Sequence, residues 1–250
     1  MYPYLKNITL TIIGLLIYQY IVAQQTNSKP SNTQTKQALE IKGIRIETDL
    51  GSMLYSALST TKTTNNQQLG CIINISNKFY PTFEIGRSST LKMMNDNSSF
   101  STNGIYEKFG LDFRLNKPTE GGKPSNNLIL LGLKLGMSSF NYSIKDLKLK
   151  DEYWGGESNI NYLDQQTNKY WFEITGGIRV EVLKNTYIGW SVRYKSLLST
   201  NENGSVYAWY IPGFGVNVKE TPSWEFNYMI AYQFNIPKRI NLVDKKTKIN

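Results

Sequence analysis

From Gly43 onward, apolar residues recur at every second position, the spacing of a strand and not of a helix. In residues 172 to 182, Phe172, Ile174, Ile178, Val180 and Val182 share one face, while Glu173, Thr175, Arg179 and Glu181 share the other. Past "LKN", Ile188, Trp190, Val192 and Tyr194 alternate with Gly189, Ser191, Arg193 and Lys195. This predicts a hairpin with a tight turn at Lys184-Asn185. The pattern repeats along the chain. Ile44 and Ile46 alternate with Arg45, Glu47 and Asp49, Cys71, Ile73 and Ile75 with Asn74 and Ser76, and Phe83 and Ile85 flank Glu84. Phe109, Leu111, Phe113 and Leu115 alternate with Lys108, Gly110, Asp112 and Arg114, and Ile129 through Met137 with Gly132, Lys134, Gly136 and Ser138. Near the end, Trp224, Phe226, Tyr228, Ile230, Tyr232 and Phe234 alternate with Glu225, Asn227, Met229, Ala231, Gln233 and Asn235.

The candidate strands are 43–54, 67–76, 79–88, 105–115, 127–140, 169–183, 186–198 and 223–236. Segment 206–218 is a weaker candidate. Pro212 removes a donor, Pro212-Gly213 signals a turn, and the apolar parity slips from Tyr207, Trp209 and Ile211 to Phe214, Val216 and Val218. It is therefore expected in the last long connection, as a strand extension or an inward-folded lid. The fold class predicted is all-β, an antiparallel up-and-down transmembrane β-barrel of eight strands. Ten strands is the alternative, if 206–218 joins the wall and another strand lies near 34–42.

A soluble β-sandwich alternates too. Three features favour the membrane barrel. Residues 1–23 read as a cleaved secretory signal, with Lys6 ahead of an apolar run from Ile8 to Val22 and Ala23 at the cleavage point. That run is shorter than the roughly 20 residues of a spanning helix. Long connections, among them 141–168, alternate with short ones such as "SNK" and "LKN", as in outer-membrane barrels. Glycines and charges share a face, as a crowded lumen requires. Residues 24–41 read as a flexible leader, 42–237 as the barrel and 238–250 as a basic tail.

The chain has no histidine and one cysteine, Cys71. Disulfide frameworks and cysteine zinc clusters are thereby excluded, and the commonest general base is missing. No enzyme, cofactor, metal site or nucleic-acid partner is predicted. The inward set expected is Arg45, Glu47, Asp49, Glu84, Lys108, Asp112, Arg114, Lys134, Glu173, Arg179, Glu181, Arg193, Lys195 and Glu225. Its signs balance, which favours an ion-paired plug over a selective pore. With 17 Tyr and 5 Trp available, Tyr170, Trp171, Tyr187, Trp190, Trp224 and Tyr228 are expected in interfacial girdles. Tyr207, Trp209 and Tyr210 form a candidate carbohydrate platform. The acids of 141–168 (Asp146, Asp151, Glu152, Glu157, Asp164) lack an EF-hand pattern and read as solvated. Lys238, Arg239, Lys245, Lys246 and Lys248 form a solvated basic tail, with contact to anionic lipid or cell-wall polymer as the weak alternative.

"KGIRIETDLGSML", "LGLKLGMSSFNY", "YWGG", "YWFEITGGIRVEVLKNTYIGWSVRYKSLL" and "YIPGFG" followed by "FNYMIAYQF" together resemble domain of unknown function 6048, a family of exported proteins of the Bacteroidota. The resemblance spans about residues 42 to 237. It implies an outer-membrane β-barrel and no activity, so no functional residue carries over. Alternating aromatics ending at Phe234 also resemble the C-terminal signal read by the outer-membrane insertion machinery, although 16 residues follow. The expectation is a monomeric barrel in a Gram-negative outer membrane, in contact with its lipid. Its loops would meet an unknown extracellular ligand or serve envelope structure. A narrow channel and a secreted soluble β-protein are the alternatives.

Overall fold

The computed structural model of the protein describes residues 40–52, 54, 64–94, 97–117, 119–120, 123–124, 126–150, 155–198, 207–218 and 221–236. The expected signal peptide, nearly all of the leader, the basic tail, Asp151 and Glu152 lie outside the described residues, as does most of the strand considered near 34–42.

In chain order the strands are β1 (Ile41–Asp49), β2 (Thr64–Ile75), β3 (Phe79–Met93), β4 (Ser99–Arg114), β5 (Thr119–Glu120), β6 (Lys123–Pro124), β7 (Leu128–Lys150), β8 (Glu157–Leu183), β9 (Thr186–Leu197), β10 (Tyr210–Ile211), β11 (Gly215–Val216) and β12 (Ser223–Asn235). Eight of them close a barrel in the order β1-β12-β9-β8-β7-β4-β3-β2. Every neighbouring pair is antiparallel, and closure comes from the first and last strands, in register from Gly43↔Asn235 to Asp49↔Met229. The ring leaves no free edge along its paired length, so its backbone groups are satisfied within it. β10 pairs with β11, and β5 with β6, outside that ring.

One end of the barrel carries the tight turns. The β2–β3 turn runs through Ser76 and Asn77, both left-handed (φ +53° and +56°), and Asn74 Oδ1 accepts the Asn77 amide at 3.0 Å. The β8–β9 turn uses Asn185 at φ +65°. Asparagine tolerates this region because its side chain bonds locally. β1 begins and β12 ends at the same end. The opposite end carries the connections after β1, β3, β7 and β9.

Along each wall strand burial alternates. Leu131, Leu133 and Leu135 are exposed, while Gly132, Lys134 and Gly136 between them are buried. The protein's interior is therefore its polar face. Two apolar clusters cap it: Ile72, Tyr80, Leu128 and Leu130 toward the tight-turn end, and Tyr106, Phe140, Trp171, Ala208, Ile211 and Phe214 toward the other.

Several sequence expectations are corrected. Residues 141–168 are not a long loop: β7 and β8 stay paired out to Lys150↔Glu157. Likewise β3 runs to Met93 and β4 starts at Ser99. Hydrogen bonding requires only a neighbouring strand, so the ladders continue after the apolar pattern has ended. Register shifts between Tyr142 and Leu147 accompany left-handed Asp146 and Asp164 (φ +57° and +48°), which bulge the outer hairpin. β1 stops at Asp49 instead of Leu54. Trp171 and Tyr187 are not girdle residues. Both are buried, because they share the parity of Glu173 and Gly189. Of the proposed aromatic platform only Tyr207 is exposed. Trp209 packs edge-on to Phe100, and the Tyr210 hydroxyl lies 3.2 Å from Ser88 Oγ.

Candidate functional site

The barrel interior gathers charges from seven of its eight strands. Glu84 of β3 is its hub. It accepts Lys134 Nζ at 2.6 Å, both terminal nitrogens of Arg193 at 2.7 and 3.2 Å, and Gln68 Nε2 at 3.0 Å. Glu173 of β8 accepts Lys108 Nζ at 3.1 Å, Arg193 Nη1 at 3.3 Å and the Trp171 indole N–H at 2.8 Å. Arg193 and Lys108 thus bridge the two glutamates. Lys134 also lies 3.7 Å from Asp112, whose Oδ1 accepts the Thr175 hydroxyl. Nearer the tight turns, Arg179 grips Glu47 through two nitrogens at 3.1 and 3.2 Å.

This arrangement follows from register. Glu84 stands opposite Lys108 across the β3–β4 ladder, Lys134 opposite Glu173 across β7–β8, and Glu173 opposite Lys195 across β8–β9. Opposite charges therefore meet as cross-strand neighbours before the barrel closes, and closure adds the transverse pairs. Glycine makes the space. A Cβ on Gly136 would overlap the Trp171 indole, and one on Gly132 would overlap the Asp112 carboxylate.

Arg45 is held differently. It is buried, and among the described residues it has no carboxylate partner within ion-pair distance. Its guanidinium sits 4.4 Å from the Tyr187 ring centroid and 5.6 Å from that of Tyr80, and Nη2 donates to Gln233 Oε1 at 2.8 Å. Two aromatic faces and an amide oxygen replace a counter-ion.

At the far end the segment around β10 and β11 folds into the mouth. Ile211 and Phe214 are fully buried, and Phe214 lies edge-on to Trp171. Gly213 takes φ +78° against the Tyr106 ring, a position where a side chain has neither conformation nor room. Lys195 Nζ donates to Gly213 O at 2.7 Å and also pairs with Glu225. Asn227 Nδ2 joins Asp49 at 2.8 Å to Glu225 at 3.1 Å.

Of the fourteen charges expected inside, eleven are buried and Glu225 is half-buried. Arg114 and Glu181 have the right parity but stand at the tight-turn rim. Arg114 binds the carbonyls of Lys117 and Asn127, and Glu181 accepts the Asn185 amide. Sequence reasoning missed buried Lys169 and Gln68; Asn227 and Gln233, which it set on the same face as Glu225, also join the network. Strand parity would have found Lys169 and Gln68 as well. Among the interior charges a void of about 10 Å³ remains, lined by Asp112, Lys134, Arg179 and Arg193. That is room for about one water molecule.

Among the described residues no group of three or more acidic or cysteine side chains is placed to hold a metal ion. The model of the family described as domain of unknown function 6048 matches residues 4–239. No curated protein and no solved structure matches the chain.

Proposed function

The chain belongs to the domain of unknown function 6048 family, and we propose that it is a small integral outer-membrane barrel whose lumen is closed by its own charges. The reading rests on one inversion. Leu133 is 54 % exposed and its neighbour Lys134 is 6 % exposed, and this relation repeats around the wall. A soluble protein hides its leucines; a barrel in lipid faces them outward. A contiguous apolar exterior this large is an interaction surface in any protein.

Balanced, mutually paired charges and a mouth filled by Phe214 and Ile211 favour a plug over a pore. The work of such a protein then falls to its far-end hairpins, in binding an extracellular ligand or in envelope structure, with the insertion machinery as its partner during biogenesis. Membrane fractionation with heat-dependent gel mobility tests the reading. The expected result is a membrane-bound, heat-modifiable protein; a soluble species without the shift refutes it. In planar bilayers no steady conductance is expected, and reproducible unitary currents would replace the plug with a channel.

A further inference from the structure

On the outer wall of β2, β3 and β4, Asn65, Gln67, Arg87, Ser89 and Asn103 line a cleft of about 330 Å³. Register places them side by side: Gln67 faces Arg87, and Ser89 faces both Asn65 and Asn103. Exposed Ile105 stands beside Arg87 on the same rung, and exposed Leu69 and Ile85 stand one rung below, toward the tight-turn end. Leu91 and Met93 stand above, at the hairpin tip. Arg87 gives Nε to Asn103 Oδ1 at 3.2 Å, a bond that aims the guanidinium along the wall. Among the described residues it has no ion-pair partner. On this face Glu107 stands one rung lower beside Ile85, and it makes no ion pair with Arg87.

We propose that this cleft seats the phosphorylated sugar headgroup of an outer-leaflet lipid whose acyl chains lie on Leu69, Ile85 and Ile105. The inference builds on the membrane reading above and assigns that surface a ligand. Its elements are those such a headgroup needs. Arg87 presents a planar fork to a phosphate. Three carboxamides and a hydroxyl supply donors and acceptors for sugar hydroxyls. Ile105 beside the arginine and Leu69 and Ile85 below it fix the depth at which the headgroup sits. An arginine at this height also remains in the polar layer and does not enter hydrocarbon.

The test uses the full-length protein in detergent, with bound lipid counted by native mass spectrometry. The probes are lipid A, dephosphorylated lipid A and inorganic phosphate. Arg87→Gln is expected to weaken lipid A binding about tenfold or more, the loss of a charged hydrogen-bond pair. Dephosphorylated lipid A should bind wild type and variant alike. Asn103→Asp, which sets a negative charge in the cleft on an exposed side chain, should weaken lipid A binding as well. Lys145→Gln, a charge removal on the outer hairpin, should bind as wild type. If Arg87→Gln and Asn103→Asp bind lipid A as wild type does, while keeping heat-dependent mobility, the headgroup site is refuted and the barrel reading stands. Millimolar inorganic phosphate that displaces lipid A completely would overturn the lipid assignment. A soluble protein lacking the gel shift would refute both.

Discussion

Arg193 reaches two glutamates on two other strands, and both are buried. Such a residue contributes little by being present and costs much by its removal, because its partners are left charged in a medium that does not solvate them. Arg193→Leu is expected to destabilise the barrel by about 3–5 kcal/mol, the range for breaking one side of a buried pair. The unfolding midpoint in urea, followed in detergent by tryptophan fluorescence, measures it. Arg179→Leu should behave similarly, since it strands Glu47. Glu181→Leu should cost under about 1 kcal/mol, as a half-exposed rim group does. Position along the barrel, not residue type, separates the two. The sequence gives parity and therefore the face. It gives no height within the barrel, because height depends on where the turns fall.

Two elements behave differently from the rest of the wall. The β7–β8 hairpin runs past the point where β8 loses its β9 partner at Trp171↔Leu197. Its outer portion is thus not part of the closed ring. Replacing residues beyond the Asn141↔Gln166 rung with a short turn should leave heat-dependent mobility intact; its loss would show that the hairpin is needed to close the barrel. The β10–β11 segment is the reverse case, short and irregular yet buried. Ile211→Ala removes a fully buried side chain and should cost about 2–5 kcal/mol, read by the same unfolding measurement. The parity slip across Pro212 showed that the segment leaves the wall. It did not show that Lys195 would hold its carbonyls, since that contact joins a strand to a turn through the mouth.

At the scale of the whole molecule, one substitution separates a lipid-facing wall from a solvated one. Leu133→Arg places a charge amid exposed Leu131, Leu135 and Phe109. At the midplane of a bilayer this costs about 2–4 kcal/mol, whereas on a soluble surface it changes stability by about 0.5 kcal/mol or less. Reduced folding yield into vesicles, with urea stability to match, is the expected outcome; an unchanged yield argues for a wall in water. Together with the silent bilayer expected above, this would define a barrel that is anchored but closed.

The sequence by itself determined the class, the strand count, the hairpin at Lys184-Asn185 and the side of the wall on which each charge lies. These depend on local rules: period-two alternation, turn chemistry and the even closure of an antiparallel ring. It also carried the parity that places Trp171 and Tyr187 inside, although aromatic type suggested the girdle. Only the tertiary structure decided which charges meet. Glu84 finds Arg193 across a closed interior, and Arg45 finds two tyrosines where a carboxylate would be expected. Closure sets those distances, through the stagger of eight strands and the room left by glycine. No window of the chain contains that information.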